Sequence, residues 1–274
     1  MARKASEDIL PETIAEQSTA LAIKELVGPP DIPMEDLEKN AGRGFSQRRE
    51  DSVLPMVRIL QDLSPQVKPR DPAYIEGAKA GDFYIAASNR VIPGTPGLVG
   101  VIPCGFAHEY VEWRPRGQGG MVGRHPLDKL PPDAQERTVF ENGKDRVKML
   151  RDNNNQLVDT RYHFFVYEGQ GFVIPFSSTG HQSSRRWTFM MSSHRLPNGR
   201  PYPGFARKYQ LKTMTKRNAE GEWYVVEPVD LGWSSREEYL LGRAMANAIE
   251  AGDKVPEDES EEVPSSSLND EIPF

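Results

Sequence analysis

The chain has 274 residues and a formal net charge of −6, with 37% hydrophobic and 27% charged residues, 23 glycines, 23 prolines and a mean hydropathy of −0.61. That length supports one sizeable core with appendages, the low apolar content leaves part of the chain outside it, and the glycine and proline content disfavours a helical bundle. A single cysteine, Cys104, excludes an internal disulfide and any cysteine-built zinc or iron–sulfur site.

Charge is divided unevenly. Residues 1–50 carry 10 acids and 7 bases, residues 253–274 carry 8 acids against Lys254 alone, and residues 51–252 hold 26 bases and 22 acids. The ends are acidic and the body is mildly basic. The start lacks the apolar stretch of a signal peptide and no long apolar run follows, so a cytoplasmic protein without membrane contact is expected.

In chain order, residues 11–28 predict a helix, with Pro11 in its opening turn, Gly28 past its end and a loose apolar face of Ile14, Leu21, Ile23, Leu26 and Val27. Residues 29–51 read as a linker, which makes 1–50 an N-terminal arm. From residue 53 the texture changes to short β-type runs broken by Gly, Pro and Asn: VLPMVRIL, GDFYIAAS, GLVGVIPCGF, HEYVEWRP, TRYHFFVYEG, FVIPFSS, RRWTFMMS, KYQLKTMTKR and EWYVVEPV. The turn chemistry of TKRNAEGEWY predicts a hairpin of 208–217 with 222–229. Residues 127–156 look like an insertion carrying a short helix over 133–150. No strand–helix alternation suggests a parallel α/β sheet.

A helix is expected after the last strand, in SSREEYLLGRAMANAIEAG. Ser234 and Glu237 have capping-box spacing, and Gly252 closes it. The remaining residues, 253–274, have the composition of a disordered acidic tail. The predicted fold is mainly β: an OB-fold-like barrel over 51–252 with inserted loops, a helix after the barrel and the acidic tail.

One stretch suggests a binding function. Gly169 to Ala219 contains no Asp or Glu, yet carries Arg185, Arg186, Arg207, Lys208, Lys212, Lys216 and Arg217 among the rings Trp187, Phe189 and Tyr209. Cations along a groove neutralise phosphates, and aromatic faces stack exposed bases at roughly 1–3 kcal/mol each. Single strands are favoured because their bases are free to stack. The bland alternative is a solvated face over core aromatics, but such faces usually mix both signs. A second basic stretch, WRPRGQGGMVGRHP, sets Trp113, Arg114, Arg116 and Arg124 around a glycine-rich loop that is neither a P-loop nor a dinucleotide fingerprint.

Catalytic and metal-binding patterns are weak. The five histidines (His108, His125, His163, His181, His194) have no metal-ligand spacing. Glu109 and Glu112 fall on opposite faces of a strand. Asp133 with Glu141 and Lys144 loosely resembles a nuclease pattern, but the last spacing is one residue too long. Cys104 has no evident activating partner. A non-enzymatic protein without cofactor or metal is expected.

The last residues, Asn269-Asp270-Glu271-Ile272-Pro273-Phe274, resemble the terminal peptide of bacterial single-stranded DNA-binding proteins. The resemblance is confined to the tip and the acidity of the tail. It implies an OB-fold body, a disordered linker, and a tip in which Asp270, Glu271, Ile272, Pro273 and Phe274 dock on host DNA replication and repair proteins. Asn269 stands where that family often has a further acid. The stretches LPMVRILQDLSPQV and FSSTGHQSSRRW resemble uncharacterised bacteriophage proteins. The resulting expectation is a bacteriophage-encoded protein that coats single-stranded DNA during replication or recombination and recruits host enzymes. The alternatives are an adaptor or inhibitor acting through its tip alone, and a nuclease.

Overall fold

The computed structural model describes residues 32–40, 53–115, 118–141, 143–218, 221–252 and 255–256. The helix expected over 11–28, Arg116 and the tip lie outside these residues. The chain divides into two compact units, Met1–Arg48 and Arg49–Phe274. In the first, the stretch expected as linker contains a short helix, α1 (Met34–Lys39), with Glu35 and Asp36 in its first turn and Lys39 in its last, as the helix dipole favours.

The second unit is mainly β. Its strands are β1 (Val53–Leu54), β2 (Val57–Ile59), β3 (Phe83–Ile85), β4 (Arg90–Ile92), β5 (Leu98–Trp113), β6 (Met121–Pro126), β7 (Gln135–Glu141), β8 (Lys144–Leu150), β9 (Gln156–Tyr167), β10 (Gln170–Ser177), β11 (Arg207–Asn218), β12 (Gly221–Trp233) and β13 (Val255–Pro256). Two longer helices accompany them, α2 (His181–Ser193) and α3 (Arg236–Glu250). Pairing is antiparallel except between β1 and β13 and at an isolated Met56–Val173 bridge. The main sheet runs β12-β11-β5-β9-β8-β7, with β10 added to β9 and β6 to β5, and a separate sheet runs β2-β3-β4.

Two expected strands, GLVGVIPCGF and HEYVEWRP, are one. Pro103 has no N–H for the ladder, and the register between β5 and β9 shifts between Pro103 and Gly105, so the strand is bulged rather than broken.

The expected barrel does not close. The sheets wrap a shared core of Phe83, Ile85, Leu98, Phe165, Ile174, Trp187, Tyr209 and Leu211, all at most 2% exposed. Where a closing ladder would run between β12 and the β2 sheet, a side chain substitutes for a strand. The Gln61 amide accepts from the Tyr224 N–H at 2.9 Å and donates to the Tyr224 carbonyl at 2.9 Å. Beside it, the Thr213 N–H donates to the Gly94 carbonyl and its hydroxyl to the Gly81 carbonyl.

The described residues of 127–156 hold no helix. β7 and β8 form a hairpin in which Glu141 pairs with Lys144, and the sequence between them, Asn-Gly, is one that favours short hairpin loops. The hairpin meets the main sheet only at Met149–Leu157 and Leu150–Gln156. A buried carboxylate reinforces that join. Glu112, 1% exposed, accepts from Asn155 at 2.5 Å and from Arg151 at 3.2 Å, and bonds His125 at 2.7 Å, while Arg151 also pairs with Asp133 at 3.0 Å.

α3 forms where expected, with its cap one residue later. The Ser235 hydroxyl accepts from the Glu238 N–H, the Glu238 carboxylate accepts from the Ser235 N–H, and Gly252 follows at φ 73°. α3 can lie close on β5 because Gly242 has no side chain: a Cβ there would be 2.6 Å from Phe205 and 2.8 Å from Ile102.

Candidate nucleic-acid interface

The largest correction concerns RRWTFMMS, which lies in α2 and not in a strand. Ser183, Ser184 and Trp187 are buried, and Met190 and Met191 pack on the core, a spacing that is one face of a helix. Trp187 and Phe189 therefore do not share a side. Trp187 is fully buried, stacked on His163 with ring centroids 4.8 Å apart and planes 8° apart, whereas Phe189 is 71% exposed. Tyr209 is also fully buried. As platforms for bases, Trp187 and Tyr209 are ruled out by burial; both are core rings.

His163 donates to or accepts from the Ser184 hydroxyl at 2.8 Å, inside a cage of Phe106, Phe176 and Trp187 rings. Burial, helped by the positive charge of Arg161, pushes its pKa down to about 3. It is a neutral core imidazole at physiological pH.

The acid-free band does not make an acid-free surface. β12 brings carboxylates across the ladder: Lys212 stands opposite Glu227 and pairs with it at 3.1 Å, and Arg217 stands opposite Glu222 at 3.8 Å. Arg186 reaches the same Glu227 at 3.4 Å, Arg207 binds Asp230 at 2.7 Å, and Lys208 reaches Glu238 of α3 at 3.3 Å. Burial alone would raise the Asp230 carboxyl. Hydrogen bonds from Arg207, the Gly232 N–H and His194 outweigh it and hold the carboxyl below its ordinary range.

These pairs order the cations along one line. α2 runs beside β12 in the same direction: Gln182 and Arg185 lie near Trp223, Arg186 near Glu227, and His194, just past the helix, near Asp230. From Trp223 to Trp233 the strand extends roughly 33 Å. At one end lies an open groove of about 510 Å³, lined by Ser178, Thr179, Gln182, Ser183, Arg185, Lys216, Trp223 and Val225. At the other end Trp233 is 54% exposed, with the Arg207 guanidinium 4.7 Å above its ring and Tyr202 edge-on at 5.0 Å. Trp223, Trp233 and the hydroxyls of the groove are absent from the sequence-based candidates. The run SSTGHQSS before Arg185 is the signal that a helix assignment would have exposed.

The second basic stretch is carried elsewhere. β6 pairs only with the Glu109–Trp113 end of β5, whereas β11 pairs with the Leu98–Val101 end. Trp113 packs on the cluster of Val111 and Tyr162, Arg124 covers the Tyr162 ring at 4.9 Å, and Arg114 is exposed. Trp113, Arg114 and Arg124 are therefore not brought to the α2–β12 line by strand pairing. Among the described residues no group of His, Cys, Asp and Glu could hold a metal ion, and no helix is long and apolar enough to cross a membrane.

Residues 27–255 match the family described as Pam3 phage gp34-like protein, and the chain belongs to that bacteriophage family. No curated protein and no solved structure matches it.

Proposed function

We propose that this phage-family protein binds single-stranded DNA, without catalysis, along the seam between α2 and β12. One observation carries the reading: α2 laid beside β12 aligns Lys216, Arg185, Arg186, Lys212 and Arg207 between two indoles, the partly buried Trp223 and the exposed Trp233. Phosphates would follow the cations while bases stack on the end rings and on Phe189. A strand must displace the Glu227 and Asp230 carboxylates from their partners, and its phosphates, once neutralised by the cations, make binding weaken with salt. The terminal residues Asp270 to Phe274 then recruit host replication and repair enzymes in the host cytoplasm, an anchor ring and charge steering supplying weak, exchangeable capture.

A second reading is favoured by the same carboxylates, which already satisfy Arg186, Lys212 and Arg207. In it the body only displays the tip, and the protein is an adaptor or inhibitor of host enzymes. Titrating the intrinsic tryptophan fluorescence with oligo(dT) and with duplex of equal length, at two salt concentrations, separates them. Quenching by the single strand that falls with salt supports the first reading. No quenching at low salt overturns it in favour of the second.

A further inference from the structure

The groove at the start of α2 differs from the rest of the seam. Its lining includes no carboxylate, and its two cations have no acidic partner among the described residues: Arg185 bonds only the His181 carbonyl, at 3.4 Å, and Lys216 makes no ion pair. α2 opens at Gly180 with no side-chain cap and no acid in its own first turn, although the Asp159 carboxylate stands 3.4 Å from the His181 ring at its start.

Ser183 supplies an independent sign of a ligand. It is 6% exposed, lines the groove, and its hydroxyl has no hydrogen-bond partner among the described residues. Helical serines normally bond a carbonyl of the preceding turn, as Ser192 and Ser193 do later in this helix, whereas the Ser183 hydroxyl is left open to the groove. Ser178, exposed at the lip, is held at φ 46°, a conformation that side chains rarely adopt. A hydroxyl that makes no bond within its own helix and opens to the groove is free to donate to a ligand there.

We propose that this groove is a phosphate-binding pocket, in which Arg185 and Lys216 neutralise a tetrahedral oxyanion and the hydroxyls of Ser183, Ser178 and Thr179 donate to it. Its chemistry suits a phosphodiester inside a strand or a phosphomonoester at a strand end. The role as the seam's first phosphate position rests on the single-strand reading above; the affinity for phosphate does not. The partly buried Trp223 ring walls the pocket on the β12 side, where a sugar or base attached to that phosphate would lie.

The test uses the full chain labelled with ¹⁵N, titrated first with inorganic phosphate. The amides of Thr179, Gln182 and Ser183 are expected to shift with millimolar saturation. Lys216→Gln should weaken this at least tenfold, and the exposed Lys79→Gln should not. Ser183→Ala should weaken it several-fold while melting no lower than the wild type, because the hydroxyl it removes has no partner in the empty protein. Groove amides that do not move, or that move equally in Lys216→Gln, overturn the pocket.

Oligo(dT) with and without a 5′-phosphate then distinguishes the sources. Tighter binding of the phosphorylated strand, lost in Lys216→Gln, assigns the monoester; equal binding with a smaller salt slope in the variant assigns the internal diester. Phosphate shifts without any oligonucleotide binding would sink the single-strand reading and leave the pocket standing. Oligonucleotide binding with affinity and slope unchanged in Lys216→Gln would leave the single-strand reading standing and overturn the pocket's role as the seam's first phosphate position.

Discussion

Replacing His163 tests the packing that fixes α2 on the sheet. In the folded chain the imidazole titrates at about 3, against 6.5 for the exposed group, because burial opposes its charge and Arg161 adds to the cost. Between those values the unfolded chain binds the extra proton, so this histidine contributes stability at neutral pH that is lost as pH falls below about 6.5. At pH 5 nearly every unfolded molecule carries that proton and almost no folded one does, a difference of about 2 kcal/mol relative to pH 7.5. Urea unfolding at pH 7.5 and 5.0, followed by tryptophan fluorescence and far-ultraviolet circular dichroism, reads it directly. His163→Gln keeps a polar partner for Ser184 but cannot titrate. Its stability should fall between the two pH values by about 2 kcal/mol less than the wild type's, whatever its stability at pH 7.5. Other titrating groups cancel in that comparison. An equal fall in both proteins would refute the account of His163 as a neutral core ring stacked on Trp187.

Other consequences are open to measurement. Gly242→Ala drives a methyl into Phe205 and Ile102 and should lower stability by about 1–3 kcal/mol in thermal unfolding, despite alanine's better helix propensity. Gln61→Ala removes both bonds to Tyr224 and should cost about 1–3 kcal/mol, with faster hydrogen exchange at the Tyr224 amide. Burial would raise the Glu112 carboxyl, but Asn155, His125 and Arg151 hold it below its ordinary range, so it stabilises the β7–β8 join at neutral pH. That contribution disappears as pH falls from about 4.3 through the lower folded value, so the protection of the Met149 and Leu150 amides, relative to their intrinsic exchange rates at each pH, should fall in acid in the wild type and be low already at pH 7 in Arg151→Ala. Truncation after Pro256 keeps β13 but removes seven acids and no base. If the tail competes for the seam, the shortened chain should bind oligo(dT) more tightly at low salt, with the gain vanishing at high salt, and should capture no host enzyme.

Some elements follow from their own residues. The β11–β12 hairpin, the capped α3 and the β-rich body are local patterns: alternating apolar positions, Asn and Gly at a turn, Ser followed by Glu at a helix start. Such signals act within a few residues, so the chain itself specifies them. The segment around Trp187 is local too, yet two periods fit it. Trp187 and Phe189 alternate as in a strand, while Ser183, Ser184, Trp187, Met190 and Met191 fall on one helical face. Burial selected the second, because a core-facing stripe of small and large residues fills the space under the sheet. The β7–β8 hairpin was hidden for the opposite reason: its charged residues mimic a solvated helix, and only the Glu141–Lys144 register reveals the turn.

Only the tertiary structure decided the character of the cationic band. Glu227 and Asp230 lie outside the acid-free stretch in sequence but beside its cations in space, since an antiparallel neighbour is adjacent however distant along the chain. It also decided that Trp187 and Tyr209 are sealed while Trp233 is not, and that Arg185 and Lys216 meet across a groove. Composition records which charges and rings a segment contains; their accessibility and their neighbours are set by strand pairing and helix docking, which join residues that the sequence keeps apart.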